Sequence, residues 1–435
     1  MECLNPTDQI LNDLKHMLKN DVVLTYDCGD GAVLYRFRNV PTLTVDEMSS
    51  FASRFGLGDE TRNEIESVFS VSYYSDVYGR FIFLYDGSDA SFSLIADPEG
   101  KPYPDPAAGE PKCPVRFWQY EIDHSLIDCG MCYIFQLGDG SFFIIDSAHQ
   151  YSVRDDYRIA DFLRQHTPEG MPVTVSGWFF THGHDDHIAK FMDVLQYQKD
   201  VNVEAVYENF VPEESLPTSV FGTQDRTFTR RFCTLIKEKN VPRYKTHALD
   251  TFRVKDLKIT VLCTHEDLCP EPLENYNDSS TVIMAEVGDD KICFPGDAGH
   301  VLSAILERRF PKYLSCDIVQ QAHHGHFGTT PAFYDLAHAN AVLFPTTKIK
   351  YDEEFYRYPA NGRSVEIAKH CFIASDGTVE FTFPLKENRI KLYPDEVLED
   401  FNGVLRLWNY SYTEEYKNAL RARFEGRQSV EYFDW

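Results

Sequence analysis

Apolar residues along the first hundred positions follow spacings that alternate between helix and strand. Residues 10–18 place their apolar side chains at helical spacing, which predicts a short amphipathic helix. The apolar runs at 22–26 and 80–85 read as strands. Thr44 and Glu47 have the spacing of a capping box, which predicts the start of a second helix. These elements predict a small α+β unit at the start of the chain.

A proline-rich stretch separates this first unit from the rest. Five prolines between 102 and 114 mark a linker, and a helix is predicted again around 414–423. We therefore expect an N-terminal α+β domain over 1–112, a larger domain over 113–395 and a C-terminal helical extension over 396–435. The N-terminal domain shows no catalytic constellation, so substrate selection or oligomer formation is its expected role.

The larger domain begins with a predicted hairpin. Asp139-Gly140 separates apolar runs at 132–136 and 141–145, and this dipeptide favours a tight turn between strands. Another apolar run at 173–180 ends in a polar cluster, after which apolar residues recur at helical spacing. A strand, a polar loop and a helix in this order are typical of an α/β site at the carboxyl end of a strand.

The composition is that of a folded protein outside the membrane. Of the 435 residues 43% are hydrophobic, and 32 Phe with 25 Tyr exclude a solvated, disordered chain. The net charge of −26 argues against an extensive nucleic-acid interface or an anionic membrane partner. No apolar run approaches the roughly 20 residues of a membrane span. The first residues lack a signal-peptide pattern, so we expect a cytoplasmic protein.

The 11 cysteines suit a reducing compartment. Cys129 and Cys132 have the spacing of a redox motif, but a strand rather than a helix is predicted to follow them. Packing is therefore the preferred role of this pair, and thiol redox chemistry is the alternative.

The polar cluster reads Thr-His-Gly-His-Asp-Asp-His over 181–187. Burying three imidazoles and two carboxylates without partners would cost several kcal/mol. On a loop leaving a strand, His182 and His184 would face one metal ion, while Asp186 and His187 would begin the helix and face a second. Imidazole and carboxylate donors without cysteine suit zinc, with manganese or iron as alternatives. The cluster therefore predicts a centre of two divalent ions.

This His-x-His-x-Asp-His motif after an apolar strand resembles the signature of the metallo-β-lactamase superfamily of hydrolases. Further family positions match in order: Asp146 at a strand end, Asp297 in a Gly-Asp hairpin, and His-His-Gly at 323–325. The resemblance spans roughly 117–385. It implies an α/β fold, an αββα sandwich of two mixed sheets with helices outside, and it gives Asp146 the role of orienting the histidine loop.

The resemblance also assigns the ligands of the second ion. Asp297 would bridge both ions, and His323 would complete the second site with Asp186 and His187. His324 is the alternative to His323, because one sequence does not show which of two adjacent imidazoles turns inward.

The superfamily expects one more histidine ligand between the histidine loop and the Gly-Asp hairpin. This chain has Asn277 there, followed by serine at 280. That arrangement is similar to a subgroup formed by hydrolase domains of competence DNA-uptake channel proteins (the Rec2 type) and bacterial phosphorylcholine esterases. His265 is a candidate substitute ligand. His326 stands where the subgroup has serine, which makes it a candidate substrate contact.

The expected reaction is hydrolysis by water that two divalent ions activate, with Asp146, Asp186 and Asp297 as the catalytic carboxylates. The subgroup resemblance favours a phosphoester of a small or short substrate. Carboxylic esters, lactones and thioesters are the alternatives. A second hypothesis keeps the fold without the chemistry: a metal-binding regulatory or scaffold protein in which the N-terminal domain recognises a partner.

Overall fold

The computed structural model describes residues 6–105, 109–124, 128–152, 154–216, 220–269, 273, 275–393 and 430–435. Among these residues the strands form three sheets, one in the N-terminal part of the chain and two in the remainder. The helix predicted around 414–423, and most of the predicted extension over 396–435, lie outside the described residues.

The first sheet has six antiparallel strands, and two helices pack on one of its faces. The elements of this part are α1 (Pro6–Leu18), β1 (Leu24–Gly29), β2 (Ala32–Arg38), α2 (Val45–Ala52), β3 (Asp59–Ile65), β4 (Val68–Ser75), β5 (Gly79–Asp86) and β6 (Ser91–Asp97). The strands lie in the order β1-β2-β6-β5-β4-β3. Thr44 and Glu47 form the predicted capping box at the start of α2.

The rest of the chain alternates strands with helices. The strands are β7 (Arg116–Gln119), β8 (Tyr133–Gln136), β9 (Phe142–Ile145), β10 (Val173–Phe179), β11 (Val201–Val203), β12 (Val206–Glu208), β13 (Arg243–Lys245), β14 (Thr251–Val254), β15 (Leu257–Cys263), β16 (Val282–Val287), β17 (Asp290–Phe294), β18 (Ile318–Gln320), β19 (Ala341–Phe344), β20 (His370–Ile373), β21 (Val379–Thr382), β22 (Arg389–Leu392) and β23 (Glu431–Asp434). The helices are α3 (Asp155–His166), α4 (Asp185–Tyr197), α5 (Val220–Lys239), α6 (His300–Arg309), α7 (Pro331–Ala337), α8 (Lys348–Glu354) and α9 (Pro359–Ile367). Short 3₁₀ turns occur at Ser53–Phe55, Glu213–Ser215, His265–Leu268, Tyr276–Ser279, Ala322–Gly325, Ala374–Asp376 and Leu385–Glu387.

The two larger sheets pack face to face. One has the order β13-β12-β10-β9-β8-β7-β21-β22-β23, with β11 also paired to β10, and the other runs from β14 to β20 in chain order. Each contains parallel and antiparallel pairs. Aromatic side chains fill the space between them, and the rings of Phe117 and Phe294 from opposite sheets lie 5.8 Å apart. The predicted hairpin is confirmed as β8 and β9.

Helices cover both outer faces of this pair of sheets. The rings of Trp178 in β10 and Phe191 in α4 lie 4.9 Å apart, and α3 and α5 contribute to the same apolar cluster. On the far side, α6, α7 and α9 pack on the β14–β20 sheet. The layers are therefore helix, sheet, sheet and helix, and the predicted αββα sandwich is confirmed.

The N-terminal sheet contacts the sandwich through buried ion pairs. Arg80 of β5 pairs with Asp250 at 2.6 Å between Nη2 and Oδ1, and Arg309 of α6 pairs with Asp86 at 2.6 Å between Nε and Oδ2. All four side chains are almost fully buried. Among the described residues, no helix is both long and apolar enough to cross a bilayer.

Candidate metal centre

Four strand ends meet at one edge of the sandwich. β9 leads into Asp146, β10 into the loop that carries His182, β17 into Asp297, and β18 into the His-His-Gly turn at 323–325. β9 and β10 are parallel neighbours, and so are β17 and β18, so each pair delivers its carboxyl ends side by side. The topology thereby brings residues from four distant parts of the sequence to one place.

One group of candidate ligands contains Asp186, His187, Asp297 and His324. Each offers one donor atom, and the four atoms lie within 4.8 Å of one another in a buried position. The Nε2 atom of His324 lies 3.0 Å from Asp186 Oδ2 and 3.4 Å from Asp297 Oδ2. The Nε2 atom of His187 lies 3.4 Å from the same Asp297 oxygen. Two imidazoles and two carboxylates therefore converge on one point.

The other group, which is the first group in chain order, contains His182, His184 and Asp297, again with donor atoms within 4.8 Å of one another. His182 Nε2 lies 2.9 Å from His184 Nδ1 and 3.9 Å from Asp297 Oδ2. Asp297 is common to both groups, which is the position that the sequence resemblance expects for a bridging ligand.

The buried polar atoms of these groups fit a cation. His187 Nε2 and Asp297 Oδ1 are both buried without a hydrogen-bond partner. Leaving buried polar atoms unpaired costs about 1–3 kcal/mol each, and more for a charged group. A divalent cation would accept both as ligands, because imidazole nitrogen and carboxylate oxygen are the donors that zinc, manganese and iron share.

The electrostatics keep the carboxyl groups ionised. Burial opposes a charge on Asp297, but the imidazoles of His324 and His187 outweigh it and hold the pKa of the carboxyl well below its usual range. Burial likewise opposes a charge on Asp186, and His187 and His324 again lower the pKa well below the ordinary value. Both side chains are therefore available as anionic ligands.

Asp146 orients the imidazole of His187 by contacting its Nδ1 atom. Its Oδ2 lies 2.8 Å from His187 Nδ1 and accepts a hydrogen bond from the Thr181 hydroxyl, while Oδ1 accepts one from the Thr181 backbone N–H. With Nδ1–H donating to a carboxylate, a neutral His187 ring would carry its lone pair on Nε2, which faces Asp297. His324 is held the same way, because its Nδ1 lies 2.9 Å from the carbonyl oxygen of Pro345.

The turn at 323–325 decides which histidine points inward. His323 and His324 both adopt left-handed backbone angles, with φ of 50° and 56°, so the chain reverses sharply between the two rings. His323 Nδ1 lies 2.7 Å from the Phe327 carbonyl oxygen, and its Nε2 lies 2.9 Å from Asn277 Nδ2. The buried group thus contains His324, the alternative of the sequence analysis, whereas the preferred His323 lies outside it with its Nε2 3.9 Å from Asp297 Oδ2.

Comparison with known proteins agrees with this geometry. Residues 129–344 match the family model of the metallo-beta-lactamase superfamily. The chain contains a metallo-β-lactamase superfamily domain. A search among characterised proteins found no significant sequence match.

Three solved structures with a similar fold come from a bacillus, a yeast and a streptomycete. The metallo-beta-lactamase fold protein YhfI of Bacillus subtilis is 11% identical, with a TM-score of 0.39 over 62% of this chain and 100% of its own. Yeast PDE1 is 10% identical, with a TM-score of 0.38 and the same two coverages. The diiron β-hydroxylase CmlA of Streptomyces venezuelae is 12% identical, with a TM-score of 0.36 over 82% of this chain and 70% of its own.

Two other predicted contacts lie elsewhere in the metallo-β-lactamase domain. His265 has both ring nitrogens engaged, with Nδ1 3.2 Å from the Tyr26 hydroxyl and Nε2 3.0 Å from Asn209 Oδ1. Among the described residues it belongs to neither group of candidate ligands. His326 Nδ1 faces Glu354 Oε2 at 3.3 Å, at the half-exposed rim rather than in the buried groups.

The Cys129–Cys132 spacing does not build a redox centre in this domain. Both cysteines are free, and burial raises the pKa of each thiol well above its ordinary value. A reactive dithiol requires the opposite shift, because the thiolate is the nucleophile.

One neighbour of the site escaped the sequence analysis. Asp225 of α5 lies 3.7 Å, measured from Oδ2, from the Nε2 atom of His184. Asp225 stands in an amphipathic helix with no motif around it, so the sequence contains no signal for this contact.

Proposed function

We propose that this chain is a metal-dependent hydrolase with two divalent ions, zinc being the first choice and manganese or iron the alternatives. The observation that carries the proposal is Asp297, a buried carboxylate shared by two His/Asp groups and left with an unpaired oxygen. The superfamily match over 129–344 supports the same conclusion.

Each of the two groups of residues would bind one ion. His182, His184 and Asp297 would hold one ion, and Asp186, His187, His324 and the same Asp297 would hold the other. Bound there, divalent ions lower the pKa of water toward neutrality and polarise the oxygen of an electrophile.

Other side chains of the protein position the candidate ligands. Asp146 keeps His187 in the tautomer whose Nε2 faces inward, and Thr181 fixes the Asp146 carboxylate through two hydrogen bonds. The depth of burial excludes bulk water from the carboxylates Asp186 and Asp297, which strengthens every charge interaction at the reacting centre. Asp146, Asp186 and Asp297 are therefore the carboxylates on which we expect activity to depend.

The substrate class is a narrower part of the proposal. A phosphoester is favoured by the Asn277 and His-His-Gly resemblance to Rec2-type domains and phosphorylcholine esterases, and carboxylic esters, lactones and thioesters are the alternatives. The net charge of −26 favours a small or short substrate over a long nucleic acid. We also propose a cytoplasmic location and an N-terminal domain that selects substrates or forms an oligomer.

The test combines metal content with turnover. Protein loaded separately with zinc, manganese or iron is analysed by elemental mass spectrometry and assayed with bis-p-nitrophenyl phosphate and p-nitrophenyl acetate. We expect two ions per chain and cleavage of at least one ester, with Asp297→Ala losing both. Asp200→Ala is the matched control, because Asp200 is an exposed carboxylate that pairs with Arg164.

The scaffold hypothesis predicts a different result. Bound metal without turnover of any ester would support a regulatory or scaffold protein. A chain that takes up no ion under any loading condition would overturn both hypotheses.

A further inference from the structure

We propose that Asp225 is a positioning residue that fixes the orientation of His184 within the first group of ligands. The inference rests on the proposed metal centre and adds to it a residue outside the superfamily motifs seen in this sequence. It concerns the side of His184 that faces away from the other donors.

The two ring nitrogens of His184 face different partners. Nδ1 lies 2.9 Å from His182 Nε2, within the group that Asp297 completes. Nε2 lies 3.7 Å from Asp225 Oδ2. The ligand atom of His184 is therefore Nδ1, and the proton of a neutral ring is on Nε2, the nitrogen that lies nearer to the Asp225 carboxyl group.

Asp225 is placed for this role by α5, which packs against α4 beside the histidine loop. Its side chain is only 8% exposed, and within the described part of the chain His184 is the basic group that the structure pairs with it. A buried carboxylate is unfavourable unless it is paired or hydrogen-bonded. The contact with His184 places the Asp225 carboxyl group beside the imidazole and restrains the orientation of the ring.

The other imidazoles of the centre show the same construction. Each has an oxygen acceptor on the nitrogen that points away from the ligand group. These contacts are His187 Nδ1 to Asp146 Oδ2 at 2.8 Å, His324 Nδ1 to the Pro345 carbonyl oxygen at 2.9 Å, and His182 Nδ1 to the Thr181 hydroxyl at 3.1 Å. Asp225 occupies the equivalent place behind His184 at the longer distance of 3.7 Å, so a carboxyl group lies behind one histidine of each group.

The first group has the greater need of such support. It has three donors where the second group has four, and His184 is 21% exposed whereas His187 is fully buried. Tight packing therefore restrains His184 less, and the contact with Asp225 supplies the restraint. Loss of a residue that orients a metal-bound histidine typically weakens metal affinity 10–100-fold.

The experiment measures metal affinity without any substrate. Asp225→Ala, Asp225→Asn and the wild-type chain are titrated with zinc against a chromophoric chelator, and cobalt-loaded samples are compared by visible absorption. We expect one of two ions to bind roughly 10–100-fold more weakly in Asp225→Ala, with a changed cobalt spectrum. Asp225→Asn keeps an acceptor oxygen and should be intermediate. Asp193→Ala on α4, where the carboxylate pairs with Lys190, is the control.

The outcomes separate this inference from the proposed function. If the wild-type chain binds no ion, the metal centre itself is wrong. If it binds two ions and Asp225→Ala binds both with unchanged affinity, only the role of Asp225 is wrong. Equal weakening of both ions, together with a lower unfolding temperature of the chelated protein, would show a folding effect and would also overturn the positioning role.

Discussion

The contact between the N-terminal sheet and the sandwich should lose stability as the pH rises from about 6.5 to 9. His247 lies fully buried at this contact, with Nδ1 2.9 Å from Glu266 Oε1 and Nε2 3.3 Å from Asp97 Oδ2. Its backbone N–H donates to Asp250, and the ring of His265 is a further titratable neighbour. Asp97 belongs to β6, whereas Glu266 lies in the turn after β15, so the imidazolium joins the two parts of the chain.

The size of this loss in the free energy of unfolding follows from the pKa of His247. Burial acts to lower this pKa, but the carboxylates of Glu266 and Asp97 outweigh it and raise it to about 9. An unfolded chain would have a histidine pKa of about 6.5, and the difference corresponds to about 3 kcal/mol. Because the folded value is the higher one, this stabilisation is complete below about pH 6.5 and is lost as the pH rises through 9.

Urea unfolding of the chelated protein between pH 6 and 10 tests the prediction. The comparison is between wild type and His247→Gln, because buried histidines that do not interact with His247 affect both proteins equally and cancel in the difference. We expect the variant to be less stable by about 3 kcal/mol at pH 6 and the gap to shrink as the pH approaches 10. His16→Gln, on helix α1, is the control. A gap that stays constant across this range would refute the reasoning.

Two further predictions concern the metal centre and the same contact between the N-terminal sheet and the sandwich. His324→Ala should lose one ion or bind it far more weakly than wild type, whereas His323→Ala should keep both ions. Elemental analysis after gel filtration distinguishes the two variants. The reverse result would favour His323 as the ligand, as the sequence analysis preferred. Arg309→Ala should destabilise the chain by about 3–5 kcal/mol in urea unfolding, because it leaves Asp86 buried beside one fewer cation. Arg308→Ala removes a half-exposed partner of the same carboxylate and should cost about 1 kcal/mol or less.

Local signals in the sequence were sufficient for the elements that carry the histidine loop. The Asp139-Gly140 turn, the apolar run of β10 and the helical spacing after the loop depend on neighbouring residues alone, and the structure has β8, β9, β10 and α4 where they predict them. The sandwich followed from the family resemblance, because a motif spread over 117–385 implies a shared topology. These parts were predictable because their information is either local or carried by a specific motif.

Contacts between distant elements were beyond the reach of the sequence. The choice between His323 and His324 depends on two left-handed backbone positions, and nothing in a His-His-Gly motif states which ring each position directs inward. His265 looked like a spare ligand, yet the partner that occupies its Nδ1 is Tyr26 of the N-terminal sheet. Asp225 was invisible for the same reason, because its helix gives no sign of the loop against which it packs.

The two groups of candidate ligands differ in their number of donors, and this difference concerns Asn277. That residue stands where the superfamily expects a histidine, but its amide nitrogen lies 2.9 Å from His323 Nε2 and its Oδ1 is buried without a partner. With asparagine in place of the expected histidine, the first group lacks an imidazole donor. The Asn277 amide instead contacts His323, which belongs to neither group. A three-donor group can hold an ion only if its imidazoles are well oriented, because each misaligned donor is a larger share of the total. The carboxylate behind His184 then matters more here than it would beside a complete set of histidines.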